Sequence, residues 1–523
     1  MRPKPAILII LDGWGVAPPS ETNAISQAKT PVMDKLITAY PSMTLHASGE
    51  KVGLVKGEPG NSGTGHLNIG AGRIVYQTLP RIDAAIKDKS FFKNPIFLGA
   101  CDFVKKNKSK LHLMGLVSPG GIHSHQEHLY ALLKLAKEQN IKDVFIHAFL
   151  DGEDTIYNSG RDYIAKLQEK TKELKIGKIA TLCGRFYAMD RDNRWERTEK
   201  AYLAITKGKG SSAKTAAKAI DDSYKKSIFD EEFVPTAIES KGNPVARVED
   251  NDAVIFFNFG EDRARQLARV FVQDDISGFK RGKKLNIYFA GMTEYESGLN
   301  MGIAFPQDVI EECLAKAISD GGLSQFHIAE TEKYSHVTYF LNGKKEEPFA
   351  GEERAIVPSP NVSSYEKKPE MSARAITERV LKEIKAEKYD FIVLNFANAD
   401  LVGHTGDIRA TIRAVETLDK QIGAIAEQAS LFGGIVFVAA SQGNAEEMEE
   451  PRTGKTNKGH SANPVPFIIV SEKYEGRKMG LPEGVGADLS LVPPVGTLGD
   501  VAPTILHVLG IKQPKEMTGK SLI

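Results

Sequence analysis

Cysteine is scarce. The chain has three in 523 residues, Cys101, Cys183 and Cys313, far apart in sequence. That rules out a disulfide framework and a paired-cysteine zinc site. It reads as buried or incidental thiols in a reducing compartment, with the cytoplasm as the expected home. An excess of either charge is also missing. Lys and Arg total 68 against 67 for Asp and Glu, a net charge of +1. A dedicated nucleic-acid binder would carry a basic excess, so no nucleic-acid partner is expected, although a local basic pocket for a small anion remains compatible with the balance. No apolar run approaches the roughly eighteen residues of a membrane span. The short one at 6–11 passes straight into Asp12-Gly13, too brief for a signal-peptide core, so no membrane partner is expected.

What is present is an ordinary globular composition, 41% apolar and 26% charged. At roughly 150 residues per domain the length suggests two to four domains. Short apolar runs alternate with amphipathic stretches along most of the chain. Strands are predicted at 6–11, 111–117, 144–150, 179–183, 253–259, 285–291, 326–330, 391–397, 434–440 and 466–470. Helices are predicted at 128–140 and 409–429. Near-continuous apolar strands separated by helices indicate α/β folding, with parallel sheets covered on both faces. The basic, low-complexity stretch 206–219 reads as an exposed loop and helix start. One sheet does not accommodate so many strands. The first strand and the 326–470 strands carry similar chemistry, whereas 111–291 is rich in arginine. A domain inserted into another domain explains this, with crossings near Tyr76–Pro80 and Phe305–Pro306.

In parallel sheets chemistry gathers at the carboxyl ends of strands. Asp12 ends the first strand, Asp400 follows the 391–397 strand with His404 four residues on, and His460 lies in a KGHSANP loop. One carboxylate and two imidazoles suit Zn²⁺, Mn²⁺ or a similar borderline cation. Singly, each reads as a helix cap or a polar loop residue; as a strand-end trio they favour a metal. Ser62 lies in the glycine-rich segment PGNSGTGHLNIGAGR, where backbone N–H groups could receive a phosphate. Without a cation or base it is no more than an N-cap serine. In the middle block His123, Arg185, Arg191 and Arg263 could form an anion pocket. Pairing with Asp190, Asp192 and Asp262 is an equally open reading.

The segments LDGWG, GNSGTGHLNIGAGR, GGIHSH, HAFLDGEDT, GRFYAMDRDNRWER, PEMSA, NFANADLVGHTG and NPVPF together carry a resemblance. The chain resembles the cofactor-independent (2,3-bisphosphoglycerate-independent) phosphoglycerate mutases of the alkaline phosphatase superfamily, over its whole length. The resemblance implies a phosphatase-like metal-binding domain of residues 1–76 and 308–523 and an inserted phosphotransferase domain of residues 80–305. It implies interconversion of 3- and 2-phosphoglycerate, with Ser62 as the phosphorylated nucleophile and Asp154 and Lys333 as further catalytic residues. His123, Arg185, Arg191 and Arg263 would bind substrate. Asp400, His404 and His460 would hold one Mn²⁺, and Asp12 with Ser62 would supply part of a second site. A monomer is implied. The departures fall on active-site positions: Ser441-Gln442 for an Asp-His pair, Glu153 and Gly260 for two arginines, and Pro119, Ala399, Gly63 and Thr64 for other family residues. They imply one well-formed metal site with the second degraded. They also leave open two alternatives, a paralogue acting on another phosphorylated substrate and a non-catalytic one.

Overall fold

In a computed structural model, which describes residues 2–276, 281–450, 452–477 and 486–523, the polypeptide forms two compact units. One comprises Met1–Gln77 with Asp308–Ile523, the other Thr78–Gln307. Each is a sheet with its own apolar core.

In the first unit the strand order is Glu352–Val357, Gln325–Glu330, Phe391–Phe396, Ala6–Leu11, Ile435–Ala439, Val465–Val470, Ser42–His46 and Gly496–Thr497. The first five run parallel, while Val465–Val470 is antiparallel to both neighbours. Ala6–Leu11 lies in the middle, Ile7 opposite Ile392 on one side and Val436 on the other. Every residue of this strand is buried, which is why its sequence is apolar without alternation. Helix Ile408–Leu431 covers the sheet. Asp407 caps it by accepting from the Ala410 N–H at 2.9 Å. Its buried face, Ala410, Ala414, Leu418, Ile422, Ile425 and Ala429, recurs at helical spacing.

This topology positions chemistry. The strands Phe391–Phe396, Ala6–Leu11 and Ile435–Ala439 point the same way, so Asp12, the short helix Asn398–Gly403 and the Ser441-Gln442 turn emerge at one edge.

The second unit orders its strands Gly302–Ile303, Tyr288–Gly291, Ala253–Phe256, Leu111–Leu116, Val144–Leu150, Lys178–Gly184, Thr236–Ser240 and Ser211–Ala213. The parallel run extends from Gly302–Ile303 to Lys178–Gly184, and Thr236–Ser240 is antiparallel to that last strand. Two expected strands are shorter than their apolar runs. The chain leaves the sheet after Phe256 because the Phe259 and Gly260 N–H groups turn to donate to the His123 carbonyl. The 285–291 run forms a strand only from Tyr288. The low-complexity stretch differs from expectation: Ser211–Ala213 is an edge strand, pairing in parallel with Thr236–Ile238. All three cysteines are buried. Among the described residues, no helix is long and apolar enough to cross a membrane.

Candidate functional site

In the first unit, Asp400, His404 and His460 meet as the sequence expects. One ligand atom from each lies within 4.8 Å of the others. The trio forms because Asp400 and His404 are one helical turn apart, while His460 arrives on the loop ahead of Val465–Val470. His404 donates from Nδ1 to the Lys458 carbonyl at 2.6 Å. That turns its Nε2 toward Asp400 Oδ1, 3.3 Å away, and this carboxylate raises the imidazole. His460 Nε2 lies 3.2 Å from the same oxygen and is buried without a hydrogen-bond partner among the described residues. An orphaned imidazole nitrogen, a tautomer fixed by a carbonyl and a shared carboxylate are the donor set and support a divalent ion requires.

Ser62 opens helix Ser62–Ala71, and Asn61 rather than Ser62 is its cap, accepting from the Thr64 N–H at 2.8 Å. The serine is thus free of a capping duty. Lys333 Nζ donates to Ser62 Oγ at 2.7 Å and to Asp400 Oδ2 at 2.6 Å, and it pairs with Asp12 Oδ2 at 2.8 Å. Gln442 Nε2 donates to Ser62 Oγ at 3.0 Å and to Asp400 Oδ1 at 3.2 Å. Ser441 Oγ donates to Asp12 Oδ1. Burial is the largest influence and pushes Asp12 and Asp400 upward, but the Lys333 ammonium and the neighbouring histidines, His66 and His336 for Asp12 and His404 and His460 for Asp400, together outweigh it and hold both carboxyls below the ordinary range. Burial would likewise discharge Lys333, yet its two carboxylates keep it charged. His66 is kept neutral chiefly by burial, and donates from Nδ1 to the Ser62 carbonyl at 2.8 Å.

A second divalent ion does not fit beside Ser62. Asp12 Oδ1 accepts from Ser441, Asp12 Oδ2 is ion-paired with Lys333 though without a hydrogen bond among the described residues, and Gln442 presents a donor where a ligand lone pair is needed. With Lys333 and one bound dication already balancing Asp12 and Asp400, a further dication would meet no uncompensated carboxylate.

Sequence reasoning missed Glu446, a buried carboxylate that ties the loop after Ala6–Leu11 to two segments of the connection between Ile435–Ala439 and Val465–Val470. It accepts from the Gly15 N–H at 3.0 Å, the Asn444 N–H at 2.9 Å, Asn463 Nδ2 at 3.1 Å and the Ser461 hydroxyl. Gly15 and Gly443 are glycines because a Cβ there would fall 2.1 and 2.3 Å from the Glu446 side chain. Burial pushes this carboxyl upward. The one legible signal was its place four residues after Gln442 in a strand-end loop.

The second unit gathers His123, Asp154, Arg185, Arg191 and Arg263. Arg185, 1% exposed, donates from Nη1 to Asp151 and Asp154, each at 2.7 Å. Its Nε lies 3.2 Å from Glu153 Oε2, and Arg263 Nη2 donates to Glu153 Oε1 at 3.1 Å. Arg191 donates to Asp262 at 3.0 Å, and His123 Nδ1 lies 3.5 Å from the same carboxylate. The arginines converge and are paired, Arg191 with Asp262 among the expected partners, but Arg185 and Arg263 with Asp151, Glu153 and Asp154 instead of Asp190 and Asp192. Arg185 Nε and Nη2, Arg263 Nε and His123 Nδ1 are nonetheless buried without hydrogen-bond partners among the described residues. Burial lowers His123, against the pull of Asp262.

Comparison with known proteins decides what kind of molecule this is. Residues 82–297 match the family described as BPG-independent PGAM N-terminus. The chain is 50% identical over 521 residues to the 2,3-bisphosphoglycerate-independent phosphoglycerate mutase of Moorella thermoacetica, covering 99% of this chain and 98% of that protein. It is 49% identical over 523 residues to the Clostridium acetobutylicum protein of the same name, covering both completely. A solved structure of Leishmania mexicana phosphoglycerate mutase at low cobalt concentration superposes with a TM-score of 0.53 at 28% identity, covering 99% of this chain and 97% of that one.

The chain belongs to the 2,3-bisphosphoglycerate-independent phosphoglycerate mutase family.

The residues expected to depart from the family pattern have physical settings. Ser441 and Gln442 are integrated with Asp12, Ser62 and Asp400 rather than left idle. Gly260 has ordinary extended angles, φ −69° and ψ 111°, so no special torsion requires a glycine. The reason is contact: a Cβ there would lie 2.3 Å from His123 Nδ1 and 3.0 Å from its Cα. Gly260→Arg is therefore expected to displace His123 and to destabilise the chain by about 1–3 kcal/mol, as overpacking does. Thermal unfolding would show it; an unchanged midpoint would mean that the loop yields freely.

Proposed function

We propose that this chain interconverts 3- and 2-phosphoglycerate through a phosphoserine at Ser62, assisted by one divalent ion, Mn²⁺, on Asp400, His404 and His460. The observation that carries this reading is the convergence on Ser62 Oγ of a buried ammonium and an amide donor beside a three-ligand cluster. The names of its close relatives support it. When bound, the ion withdraws charge from the phosphoryl oxygens.

The remaining work falls to the chain. Lys333, pinned between Asp12 and Asp400, stabilises the serine oxygen as its proton leaves. At the start of helix Ser62–Ala71 the Thr64 N–H is taken by Asn61, and the Ser62 and Gly63 N–H groups are the ones proposed to hold the transferred phosphoryl. As the Ser62 Oγ–P bond forms, the bond from phosphorus to the substrate oxygen breaks and that oxygen takes up a proton. In the return step the neighbouring hydroxyl loses its proton and attacks phosphorus as the Oγ–P bond breaks, and Ser62 Oγ takes up a proton again, so the proton it gave up when the leaving oxygen was protonated is recovered. Asp154, oriented by Arg185, is the group proposed to move that proton between the two hydroxyls of the glycerate. His123, Arg185, Arg191 and Arg263 bind its anionic groups.

A second reading, a non-catalytic paralogue, draws on Gln442, which adds a donor to Ser62 where an activating cation would sit. Two measurements separate the readings. A coupled mutase assay with acid-quenched trapping of phosphate on Ser62 should show a labelled serine that Ser62→Ala loses. Absence of both turnover and label would favour the paralogue. Independently, elemental analysis after chelation and Mn²⁺ reloading should give about one tightly held ion per chain, from ligand count. Two would show ligands that Ser441 and Gln442 do not suggest.

A further inference from the structure

The arginine pocket of the second unit already holds an anion, and it belongs to the chain. Glu153 sits across Arg185 and Arg263, one carboxylate oxygen toward each guanidinium, at 3.2 and 3.1 Å. The two contacts are unequal. Arg263 Nη2 makes a hydrogen bond, whereas Arg185 Nε is near Glu153 in charge but lacks hydrogen-bond geometry and has no other partner among the described residues. Arg185 Nη2 and Arg263 Nε are likewise buried and unsatisfied. Buried guanidinium donors with nothing to donate to are costly. Here they mark a fork built for an anion with more acceptors than Glu153 brings.

The surroundings make the glutamate the movable part. Asp151 is buried and fixes the loop backbone, accepting from the Glu153 and Asp154 N–H groups at 3.3 and 2.9 Å and from Ser118 and Arg185. Arg185 is immobilised by Asp151 and Asp154. The Glu153 side chain is 42% exposed and can leave by rotating its own torsions, with no shift of the backbone. Charge points the same way. Three arginines, 185, 191 and 263, face four carboxylates, 151, 153, 154 and 262. Displacing Glu153 takes this group from one excess negative charge to balance, which removes the repulsion an incoming anion would meet.

We propose that Glu153 is a displaceable internal anion, occupying the Arg185–Arg263 fork until a phosphate- or carboxylate-bearing ligand replaces it, and so sets the affinity of the pocket. Glu153 is a specificity-determining residue, not a catalytic one. The inference rests on the proposed function only for the identity of that ligand, a phosphorylated hydroxy acid.

The test is calorimetric binding of 3-phosphoglycerate, 2-phosphoglycolate and inorganic phosphate to the full-length protein and to Glu153→Gln, Glu153→Ala and Glu153→Asp. Glu173→Gln, a surface carboxylate paired with Lys170, controls for bulk charge. Loss of the internal competitor should tighten binding of phosphoanions about tenfold in the Gln and Ala variants, the size of one exposed charge-assisted contact. Glu153→Asp, one methylene short of the fork, should fall between, and Glu173→Gln should match the parent. Where turnover is measurable, KM should fall with kcat nearly constant. Unchanged affinity in both Gln and Ala variants overturns the proposal, and so does weakened affinity, which would make Glu153 a support for the arginines. If phosphoglycolate and phosphate tighten while 3-phosphoglycerate does not, the internal anion stands and the phosphoglycerate reading fails.

Discussion

Asp400→Asn should abolish tight divalent-metal binding and phosphoryl transfer together. Asp400 Oδ1 is the one oxygen shared by both histidines of the trio, and Oδ2 anchors Lys333 beside Ser62. The amide keeps the shape and removes the charge. Two imidazoles alone do not retain a borderline dication against water, so the loss in affinity should exceed the roughly 10–100-fold seen when a residue that only orients ligands is changed. The same substitution leaves the buried Lys333 ammonium with Asp12 as its only carboxylate partner among the described residues. Breaking a buried ion pair costs roughly 3–5 kcal/mol, and the surviving Asp12 contact places this variant at the low end. Metal titration calorimetry reads the first effect, and unfolding in the presence of chelator reads the second, free of the metal's own contribution to stability. A variant that still holds one ion per chain would place the metal elsewhere.

Asp12, Asp400, His404 and His460 were legible because parallel strands deliver their following residues to one edge, and buried strands declare themselves by unbroken apolar runs such as AILIIL and FIVLNF. Ser42–His46 and Glu352–Val357 were not legible. EERAIV is mixed because Glu352–Val357 is the edge strand and half exposed, whereas SMTLH is buried between two strands and its Ser42 and Thr44 hydroxyls are satisfied by the Tyr40 and Val492 carbonyls. Ser211–Ala213 was hidden in a lysine-rich stretch because an edge strand of three residues needs only backbone pairing. Distance in sequence concealed the rest. Lys333 is 271 residues from Ser62 and 67 from Asp400, and no local pattern announces that one ammonium serves both. Glu446 is one acidic residue among several in NAEEMEE; only the fold shows that Gly15, Ser461 and Asn463 converge on it. Nor was the part played by Gly260 legible, because the room it leaves for His123 is a contact across the fold and not a torsion of its own loop.

Ser441→Asp with Gln442→His should create a second divalent site and raise phosphoryl transfer by about 10²–10³, the scale attached to one well-placed electrostatic group in a water-excluded centre. The double change is essential. Ser441 Oγ now donates to Asp12 Oδ1 and also contacts Gln442 Oε1. A lone Ser441→Asp would set a carboxylate against two acceptors, with Lys333 the nearest cation to Asp12. Gln442→His alone removes the amide donor to Ser62 but adds no charge. Together they supply a carboxylate and an imidazole beside Asp12, a set that suits a borderline dication. Space is less of an obstacle than charge, because Ser and Asp share the Cβ against which Gly65 is packed. The metal-free double variant should be less stable than the parent, since Asp12, Asp400 and the new carboxylate would crowd one ammonium, and Mn²⁺ should more than restore it. That reversal of order, weaker when chelated and stronger when loaded, separates a working second site from mere damage. Elemental analysis should rise from about one ion per chain to about two on ligand count. If the double variant still binds a single ion, the assignment of Ser441 and Gln442 as the positions that closed the second site is wrong. If it binds two and turnover stays flat, the limit lies in the Glu153-occupied pocket, where the combined variant with Glu153→Gln should then gain.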